Sequence, residues 1–322
     1  DLPEMNAVYE PGDPDFNKQW HHDYIGTRYA WAAGYKGQGV KVAVIDTGLK
    51  KDHEDFGANI VDGYSFVGLV GTQTAPVFNK DNDTHGTHVA GIIGAANNDK
   101  GVIGIAPEAT VSGFCVAEPG GALTGDILAA IKKAIDDEYD IINMSLGGAY
   151  YNDLFAQRVK EAYEAGVAVF ASAGNDDADG NNFPAAYPGA ISVGAVDQNG
   201  AKASFSSYGS AVKLSFPGVG IYSTTVKGYP TGIEDKTYGD YDYMSGTSQA
   251  SPAAAGTAAV ILSANQTISN KEGKSRVDAL LSAMKSSTNK CTSSGMGAGT
   301  TWLPGALKIA TDMTAPDAPI IE

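Results

Sequence analysis

Short apolar runs rich in β-branched residues alternate along the chain with longer segments whose apolar residues recur every three or four positions. Runs of the first kind are typical of buried strands, and segments of the second kind are typical of amphipathic helices. The predicted strands cover residues 40–46, 110–116, 140–145, 167–171, 190–196 and 212–215. Helices are predicted at residues 85–96 and 153–165, and two more begin near residue 124, capped by Thr124, and near residue 248.

This alternation predicts an α/β fold with three layers, in which helices flank both faces of a mainly parallel, twisted β-sheet. Residues 1–30, punctuated by prolines, are predicted to form an irregular surface arm, and residues 57–84 are rich in loops. We expect one domain over residues 1–312, followed at 313–322 by a tail or linker with two prolines. In sheets of this kind, functional groups gather at the carboxyl ends of the strands.

The charge balance and the cysteine count exclude several classes of function. With 22 basic against 37 acidic residues, the formal net charge is −15, which argues against binding to nucleic acids or anionic membranes. The sequence has no uninterrupted apolar stretch of about 20 residues, so no transmembrane helix is expected. Two cysteines do not make a disulfide scaffold. Cys115 is either a small buried apolar residue or is bridged to Cys291.

Three residues are suited to nucleophilic catalysis: Asp46 at the end of a predicted strand, and His85 and Ser248 at the starts of predicted helices. Serine becomes a good nucleophile when a base removes its proton, and histidine titrates near neutrality. A carboxylate can hold the imidazole in the required tautomer. Taken singly, each residue has an ordinary explanation as a turn former, a structural histidine or a helix cap. His85 and His88 lack a third nearby metal ligand, so no zinc site is expected.

The segments Asp46-Thr47-Gly48, His85-Gly86-Thr87-His88-Val89-Ala90-Gly91 and Gly246-Thr247-Ser248-Gln249-Ala250-Ser251-Pro252 occur in this order along the chain. Together they resemble the motifs of the subtilisin-like serine proteases, the subtilases, whose known order of catalytic residues is aspartate, histidine, serine. The resemblance extends over about residues 13–312. It implies a subtilisin-like fold and serine endopeptidase activity on polypeptide substrates.

The resemblance implies a role for each matching residue. Ser248 would be the nucleophile, His85 the general acid and base, and Asp46 the carboxylate that orients the histidine. Asn175 matches the family's asparagine whose amide donates a hydrogen bond to the tetrahedral oxyanion. The loss of such a donor costs on the order of 3–4 kcal/mol of transition-state stabilisation.

The resemblance also implies a site for an extended substrate. Its residues are Ser145, Leu146, Gly147, Gly121 and Asn182. Segment 144–148 resembles the family's strand that pairs with substrate and lines the pocket for the residue before the scissile bond, P1, and segment 120–122 resembles the opposite edge strand. We expect broad specificity with large apolar or aromatic P1 residues favoured. The acidic run Asp176, Asp177 and Asp179 is either a solvated loop or a determinant of basic P1 residues in a restricted processing protease.

Segment 13–16 resembles the segment that completes a strong calcium site in thermitase-like members of the family. The implied ligands are the side chains of Asp13, Asp55 and Asn98 and the carbonyl groups of Ala96, Lys100 and Val102. Calcium takes six to eight oxygen ligands, which such a set is suited to provide. A second, weaker cation site of the family has Lys213 at its matching position, where an ammonium group would repel the ion. The acidic stretch 227–243 is either a flexible loop or an extra calcium site.

Gln249 follows the candidate nucleophile where many family members carry an oxidisable methionine, so we expect activity that survives peroxide. The family further implies a secreted, monomeric protein made as a precursor, with its own pro-segment as inhibitor and folding aid. No signal peptide is present at Asp1, so we expect the targeting segment to have been removed. A catalytically inert binding module and an intracellular protease are the remaining alternatives.

Overall fold

The computed structural model of the 322-residue chain describes residues 8–68, 75–76 (backbone only), 78–118, 121–233 and 235–309. The strands are β1 Lys41–Asp46, β2 Tyr64–Ser65, β3 Ala75–Pro76, β4 Thr110–Cys115, β5 Ala117–Glu118, β6 Gly121–Ala122, β7 Ile141–Met144, β8 Ala168–Ser172, β9 Ala190–Val196, β10 Val212–Pro217, β11 Ile221–Thr224, β12 Tyr241–Met244, β13 Thr288–Asn289 and β14 Thr300–Thr301. The helices are α1 His21–Ile25, α2 Thr27–Ala32, α3 His85–Gly94, α4 Thr124–Asp136, α5 Asp153–Glu164, α6 Thr247–Ala264, α7 Gln266–Ser269, α8 Lys274–Lys285 and α9 Leu303–Leu307. The expected tail at 313–322 and Gly120 lie outside the described residues.

Seven parallel strands form the central sheet in the order β10-β9-β8-β7-β1-β4-β2, and β3 joins its edge in the antiparallel orientation. The six predicted strands all lie in this sheet, and their observed ends differ from the predicted ends by two residues at most. Helices pack on both faces, so the predicted three-layer α/β fold is confirmed. Within the described residues, no helix has the length and apolar character needed to cross a membrane.

The sheet separates two apolar cores, and β1 contributes alternate residues to each. Val42 and Val44 pack in the core that contains α3 and α6, whereas Ala43 and Ile45 pack in the core that contains α4 and α5. Because successive side chains of a strand point to opposite faces, a strand covered on both faces is apolar at nearly every position. This explains why the sequence shows continuous apolar runs rather than alternating ones.

The parallel arrangement brings the candidate catalytic segments to one edge of the sheet. β1 ends at Asp46, β7 ends just before Ser145, and β8 ends three residues before Asn175. α3 begins at His85, and Ser248 is the second residue of α6. Since the carboxyl ends of parallel strands lie at the same edge, segments far apart in sequence meet there.

The prediction of an irregular arm over residues 1–30 is wrong for its second half, which contains a 3₁₀ turn, α1 and most of α2. His22 Nε2 lies 3.0 Å from the carbonyl oxygen of Ile103, and Trp31 Nε1 donates to the carbonyl of Ile105 at 2.9 Å. Helices of five and six residues are too short to show a period of 3.6 in the sequence. Contacts with distant segments therefore stabilise them.

An antiparallel hairpin of β11 and β12 has no counterpart among the predictions. Its pairing continues past the two strands, because Thr225 N donates to Asp240 O at 2.8 Å and Gly228 N donates to Tyr238 O at 2.9 Å. We call the described residues 225–233 and 235–240 the hairpin extension. The stretch for which the sequence left a loop or a cation site open thus contains a hydrogen-bonded hairpin.

The structure corrects two local predictions. α4 begins at Thr124 itself, with Leu123 at the N-cap position and no side-chain cap. Cys115 and Cys291 are both free, so the alternative of a bridge between them is wrong. Cys115 is fully buried in β4, where its thiol donates to the carbonyl oxygen of Thr47 at 3.3 Å and accepts Asn82 Nδ2 at 3.2 Å.

Candidate active site

A short hydrogen bond joins the candidate base to the candidate carboxylate. His85 Nδ1 donates to Asp46 Oδ1 at 2.7 Å, and the same oxygen accepts the backbone N–H of Thr47 at 2.8 Å. Asp46 is only 3% exposed, so its carboxylate is fixed at the end of β1. An ionised carboxylate only accepts hydrogen bonds, which places the proton on Nδ1 and leaves Nε2 free to act as a base.

Asp81, which the sequence reading missed, connects the two segments that carry this pair. Its carboxylate accepts the hydroxyl of Thr47 at 2.7 Å, and it accepts the backbone N–H and the hydroxyl of Thr87 at 2.7 and 2.6 Å. Thr47 Oγ1 also accepts the backbone N–H of Gly86 at 2.9 Å. A side chain at Gly86 would collide with the carbonyl oxygen of Gly48, which explains the glycine next to the histidine.

The environment of His85 favours its charged form. Burial alone would lower the pKa of the imidazole, but the carboxylate of Asp46, assisted by Asp81 and Asp83, outweighs burial and raises the pKa above its ordinary value. A cationic imidazole is therefore stabilised, as is needed when a base accepts a proton during a reaction.

Ser248 and Ser145 are linked by a reciprocal pair of hydrogen bonds. Ser248 Oγ donates to the carbonyl oxygen of Ser145 at 3.2 Å, and Ser145 Oγ donates to the carbonyl oxygen of Ser248 at 2.7 Å. Because a hydroxyl has one proton, transfer of that proton to His85 requires Ser248 to release the carbonyl of Ser145.

The proline inside α6 explains why this carbonyl is available. Pro252 has no N–H, so it cannot make the helical hydrogen bond to the carbonyl of Ser248 four residues earlier. Ser145 supplies the missing donor. Its own hydroxyl oxygen accepts Asn143 Nδ2 at 3.0 Å, and Asn143 Oδ1 accepts the hydroxyl of Ser251 at 2.7 Å. A buried polar network therefore fixes the first turn of α6 to the end of β7.

The amide of Asn175 is oriented by Thr247, a second residue that the sequence reading missed. Asn175 Oδ1 accepts the backbone N–H and the hydroxyl of Thr247 at 2.8 and 2.9 Å. Both bonds use the amide oxygen, so the Nδ2 donors remain available. Asn175, Ser248 and His85 line a common cavity of about 430 Å³. The structure thus brings all four predicted catalytic residues to one site.

A larger cleft of about 640 Å³ adjoins this cavity. Four of the predicted substrate-binding residues line it: Ser145, Leu146, Gly147 and Gly121. Gly121 belongs to β6, which pairs with β5 at the rim. Asn182 lies behind the cleft, because its Nδ2 donates to the carbonyl of Ser172 at 3.0 Å and its amide leaves no room for a side chain at Gly147.

The predicted calcium ligands converge on a buried acidic pair. Asp13 Oδ1 accepts the N–H of Asn98 at 3.1 Å, and Asp55 Oδ2 accepts the N–H of Val102 at 2.8 Å. The other oxygens, Asp13 Oδ2 and Asp55 Oδ1, are buried without a hydrogen-bond donor. Burial and, to a smaller extent, the charge of Asp13 raise the pKa of Asp55 to about 8.

Three further residues of the predicted set, Ala96, Asn98 and Lys100, lie next to this pair. The backbone N–H of Ala96 bonds to the carbonyl of Asp55 at 2.9 Å, and that of Lys100 bonds to Asn98 Oδ1 at 3.1 Å. Among the described residues, no cluster of three or more His, Cys, Asp and Glu side chains is arranged to hold a metal. A cation here would therefore need amide and carbonyl oxygens besides the two carboxylates. Unpartnered carboxylate oxygens beside such groups fit calcium chemically.

Comparisons with known proteins show what the chain as a whole is similar to. The family model described as Peptidase_S8, the subtilase family, matches residues 37–299. Subtilisin DY of Bacillus licheniformis is 40% identical over 251 residues, which are 76% of this chain and 85% of that protein. Thermitase of Thermoactinomyces vulgaris is 36% identical over 300 residues, 92% of this chain and 96% of that protein. The solved structure of a protease from Pseudoalteromonas arctica PAMC 21717 is 31% identical, with a TM-score of 0.80 over 92% of this chain and 98% of that chain.

Proposed function

Because the chain belongs to the subtilase family and is a serine endopeptidase, we propose that it hydrolyses peptide bonds through an acyl-enzyme formed on Ser248. His85 acts as general acid and base, and Asp46 orients it. The observation that carries this proposal is that the hydrogen-bonded His85–Asp46 pair opens on the cavity that Ser248 and Asn175 also line.

The steps follow from the donors and acceptors at the site. Ser248 Oγ attacks the substrate carbonyl carbon while His85 Nε2 takes the hydroxyl proton, and the oxyanion accepts hydrogen bonds from Asn175 Nδ2 and the Ser248 N–H. Collapse of the tetrahedral intermediate breaks the C–N bond, and His85 protonates the leaving amine. Water then attacks the acyl ester, His85 takes its proton, and the acid leaves as the serine hydroxyl is restored.

Covalent labelling tests the proposed nucleophile. We expect a fluorophosphonate probe to label the protein on Ser248, and to leave a Ser248→Ala variant unlabelled. Asn175→Ala should lower kcat by about 10²–10³ with a small change in KM. Asn199→Ala, an exposed asparagine in a distant loop, serves as the matched control and should retain wild-type kcat. Absence of labelling in the wild type would favour the inert binding module instead.

For substrate preference, we propose broad specificity with large apolar or aromatic P1 residues favoured. The apolar side chains of Leu146, Phe155 and Phe183 in the cleft support this preference. The acidic run is solvent-exposed and none of its three aspartates lines the cleft. Asp177 already pairs with Lys202 at 2.5 Å, which also argues against a carboxylate dedicated to basic P1 residues. A peptide library resolves the two alternatives: cleavage confined to lysine and arginine at P1 would establish the restricted processing protease.

We also propose that calcium binds between Asp13 and Asp55. Asn98 and the carbonyls of Ala96, Lys100 and Val102 would complete the ligand set. The ion would neutralise two buried carboxylates and so stabilise the fold; it takes no part in the peptide chemistry. Chelation should lower the melting temperature of a Ser248→Ala protein, which cannot digest itself. Asp55→Asn should have a lower calcium affinity by calorimetry. An unchanged melting temperature in excess EDTA would refute the site.

The remaining proposals concern the whole protein. We propose that residues 1–312 form the catalytic domain and that 313–322 is a tail or linker. Secretion, a pro-segment that inhibits and assists folding, and a monomeric state are proposed from family membership. Light scattering on the purified protein tests the monomer, and added pro-segment peptide should inhibit in a concentration-dependent manner. A stable dimer, or no inhibition at micromolar peptide, would contradict the respective proposal.

A further inference from the structure

The hairpin extension is fixed to the segment that carries His85. Tyr229 Oη donates to the carbonyl oxygen of Asn82 at 2.7 Å, and the backbone N–H of Val226 donates to Thr84 Oγ1 at 2.7 Å. These contacts lie on both sides of Asp83 and directly precede His85. The extension is therefore anchored to the catalytic segment and is not an independent surface loop.

Tyr238, on the arm of the extension that leads into β12, lies where the two cavities of the site meet. Only three of the described side chains line both cavities: His85, Tyr238 and Met244. Tyr238 is held by its backbone, since its N–H donates to Tyr229 O at 2.8 Å. Burial, with the nearby carboxylates of Asp242 and Asp83, raises the pKa of its hydroxyl, so the ring is neutral under physiological conditions.

The position of the leaving group in the proposed mechanism indicates which part of the substrate the smaller cavity holds. His85 protonates the leaving nitrogen, so the first leaving-group residue lies beside the imidazole and away from the P1 pocket. Among the described residues, the walls of the smaller cavity include His85 and Ser248 but none of residues 145–148. The smaller cavity therefore lies on the leaving-group side, and Tyr238 and Met244 form its wall next to His85.

Resting on the proposed acyl-enzyme mechanism, we propose that Tyr238 is a specificity-determining residue for the first residue of the leaving group. Its ring and the thioether of Met244 offer a flat, polarisable surface to that side chain. Aromatic rings and sulfur both contact aromatic groups favourably, so aromatic side chains should be preferred to small ones. The anchoring of the extension holds the ring in place before substrate binds, which reduces the entropy lost on binding.

Acyl transfer to added amines measures this preference without changing the acyl side. An ester substrate with a methyl leaving group acylates Ser248, and the acyl-enzyme then partitions between water and an amino-acid amide. When the amine attacks, its nitrogen forms the new amide bond, its proton passes to His85, and the serine hydroxyl is restored. The ratio of phenylalaninamide to glycinamide products therefore reports only on the leaving-group side.

In the wild type we expect phenylalaninamide to be the better acceptor. Tyr238→Ala should reduce the phenylalaninamide-to-glycinamide ratio by about five- to tenfold, and this ratio does not depend on the rate at which the ester acylates Ser248. Tyr238→Phe retains the ring and should retain the ratio. Ile233→Ala, at the exposed tip of the same extension, is the matched control and should behave as the wild type.

The outcomes separate this inference from the mechanism on which it rests. If every variant, including Ser248→Ala, still hydrolyses the ester, the acyl-enzyme proposal itself is overturned. Ester hydrolysis that depends on Ser248, with a product ratio unchanged in Tyr238→Ala, would overturn the role of Tyr238 alone. If Tyr238→Ala unfolds, the effect of Tyr238→Leu on the same ratio decides: a leucine that matches the tyrosine also overturns the aromatic preference.

Discussion

Replacement of Ser145 by alanine should destabilise the protein through the carbonyl of Ser248. The Ser145 hydroxyl is the donor to this carbonyl, at 2.7 Å, because Pro252 cannot supply the usual helical N–H. The same hydroxyl oxygen accepts Asn143 Nδ2 at 3.0 Å. Ser145→Ala therefore leaves two buried polar groups without a partner.

The magnitude follows from the number of groups affected. A buried polar group that loses its partner costs about 1–3 kcal/mol, so two groups give about 3 kcal/mol in total. Pro252→Ala introduces an N–H that can bond to the Ser248 carbonyl within the helix. In that background, Ser145→Ala leaves only the amide of Asn143 unpaired, and its cost should fall to about 1.5 kcal/mol. The coupling between positions 145 and 252 is then about 1.5 kcal/mol.

A double-mutant cycle measures this coupling directly. The four combinations at positions 145 and 252 are prepared in a Ser248→Ala background, which removes self-digestion but keeps the backbone carbonyl. Free energies of unfolding come from urea titrations followed by tryptophan fluorescence. Ser112→Ala is the matched control, because Ser112 is also buried and donates to a backbone carbonyl, that of Asp62 at 2.8 Å, far from α6.

Two results would refute this reasoning. An equal cost of Ser145→Ala with proline and with alanine at position 252 would show that the proline does not create the need for the serine donor. A cost below about 0.5 kcal/mol in the proline background would show that the Ser248 carbonyl finds another partner. The cost of Ser112→Ala should be the same in both backgrounds, and a difference there would indicate a general effect of the proline.

Three further predictions concern protons and oxidation. Because nearby carboxylates raise the pKa of His85, kcat/KM should rise with pH on the alkaline side of 6.5, and Asp83→Asn should move this limb to lower pH in pH–rate profiles. Burial lowers the pKa values of His22 and His88 to about 3, so the unfolded state binds their protons first as the pH falls below 6.5. Each of these two histidines should therefore lower the free energy of unfolding by about 2 kcal/mol between pH 7 and pH 5. In urea titrations at the two pH values, His88→Gln should remove the contribution of His88. The peroxide resistance expected from the glutamine after the nucleophile stays a prediction, but Met244 lines both cavities. Residual inactivation should therefore coincide with a sulfoxide on Met244 by mass spectrometry and be absent from Met244→Leu.

The sheet and the candidate catalytic residues could be predicted because each leaves a local mark in the sequence. A strand buried on both faces is continuously apolar, as in Val42 to Ile45, and the parallel order follows from the alternation with helices. The three motif segments resemble a known family in order and composition. Their convergence at one edge then requires only that parallel strands end together.

The supporting residues left no such mark. Asp81 is one of several aspartates in a loop-rich segment, and Thr247 is indistinguishable in sequence from a helix cap. Their importance depends on hydrogen bonds to partners far away in the sequence. Asp81 bonds to Thr47, which is 34 positions away, and Thr247 bonds to Asn175, which is 72 positions away. The hairpin extension escaped prediction for the same reason, because its anchors are a backbone carbonyl and a side-chain hydroxyl of a distant segment. Asn82 and Thr84 provide those anchors.

The starts of the two catalytic helices show why these long-range bonds and the active site belong together. A helix leaves its first N–H groups without partners, and a local Ser, Thr, Asp or Asn usually caps them. Thr84 and Gly246, at the N-cap positions of α3 and α6, provide no side-chain cap. The N–H groups are satisfied by other segments instead: those of α3 by Thr47 and Asp81, and that of Thr247 by Asn175. Since the helix starts are completed only when the strand ends dock on them, formation of the tertiary fold also sets the geometry of the site.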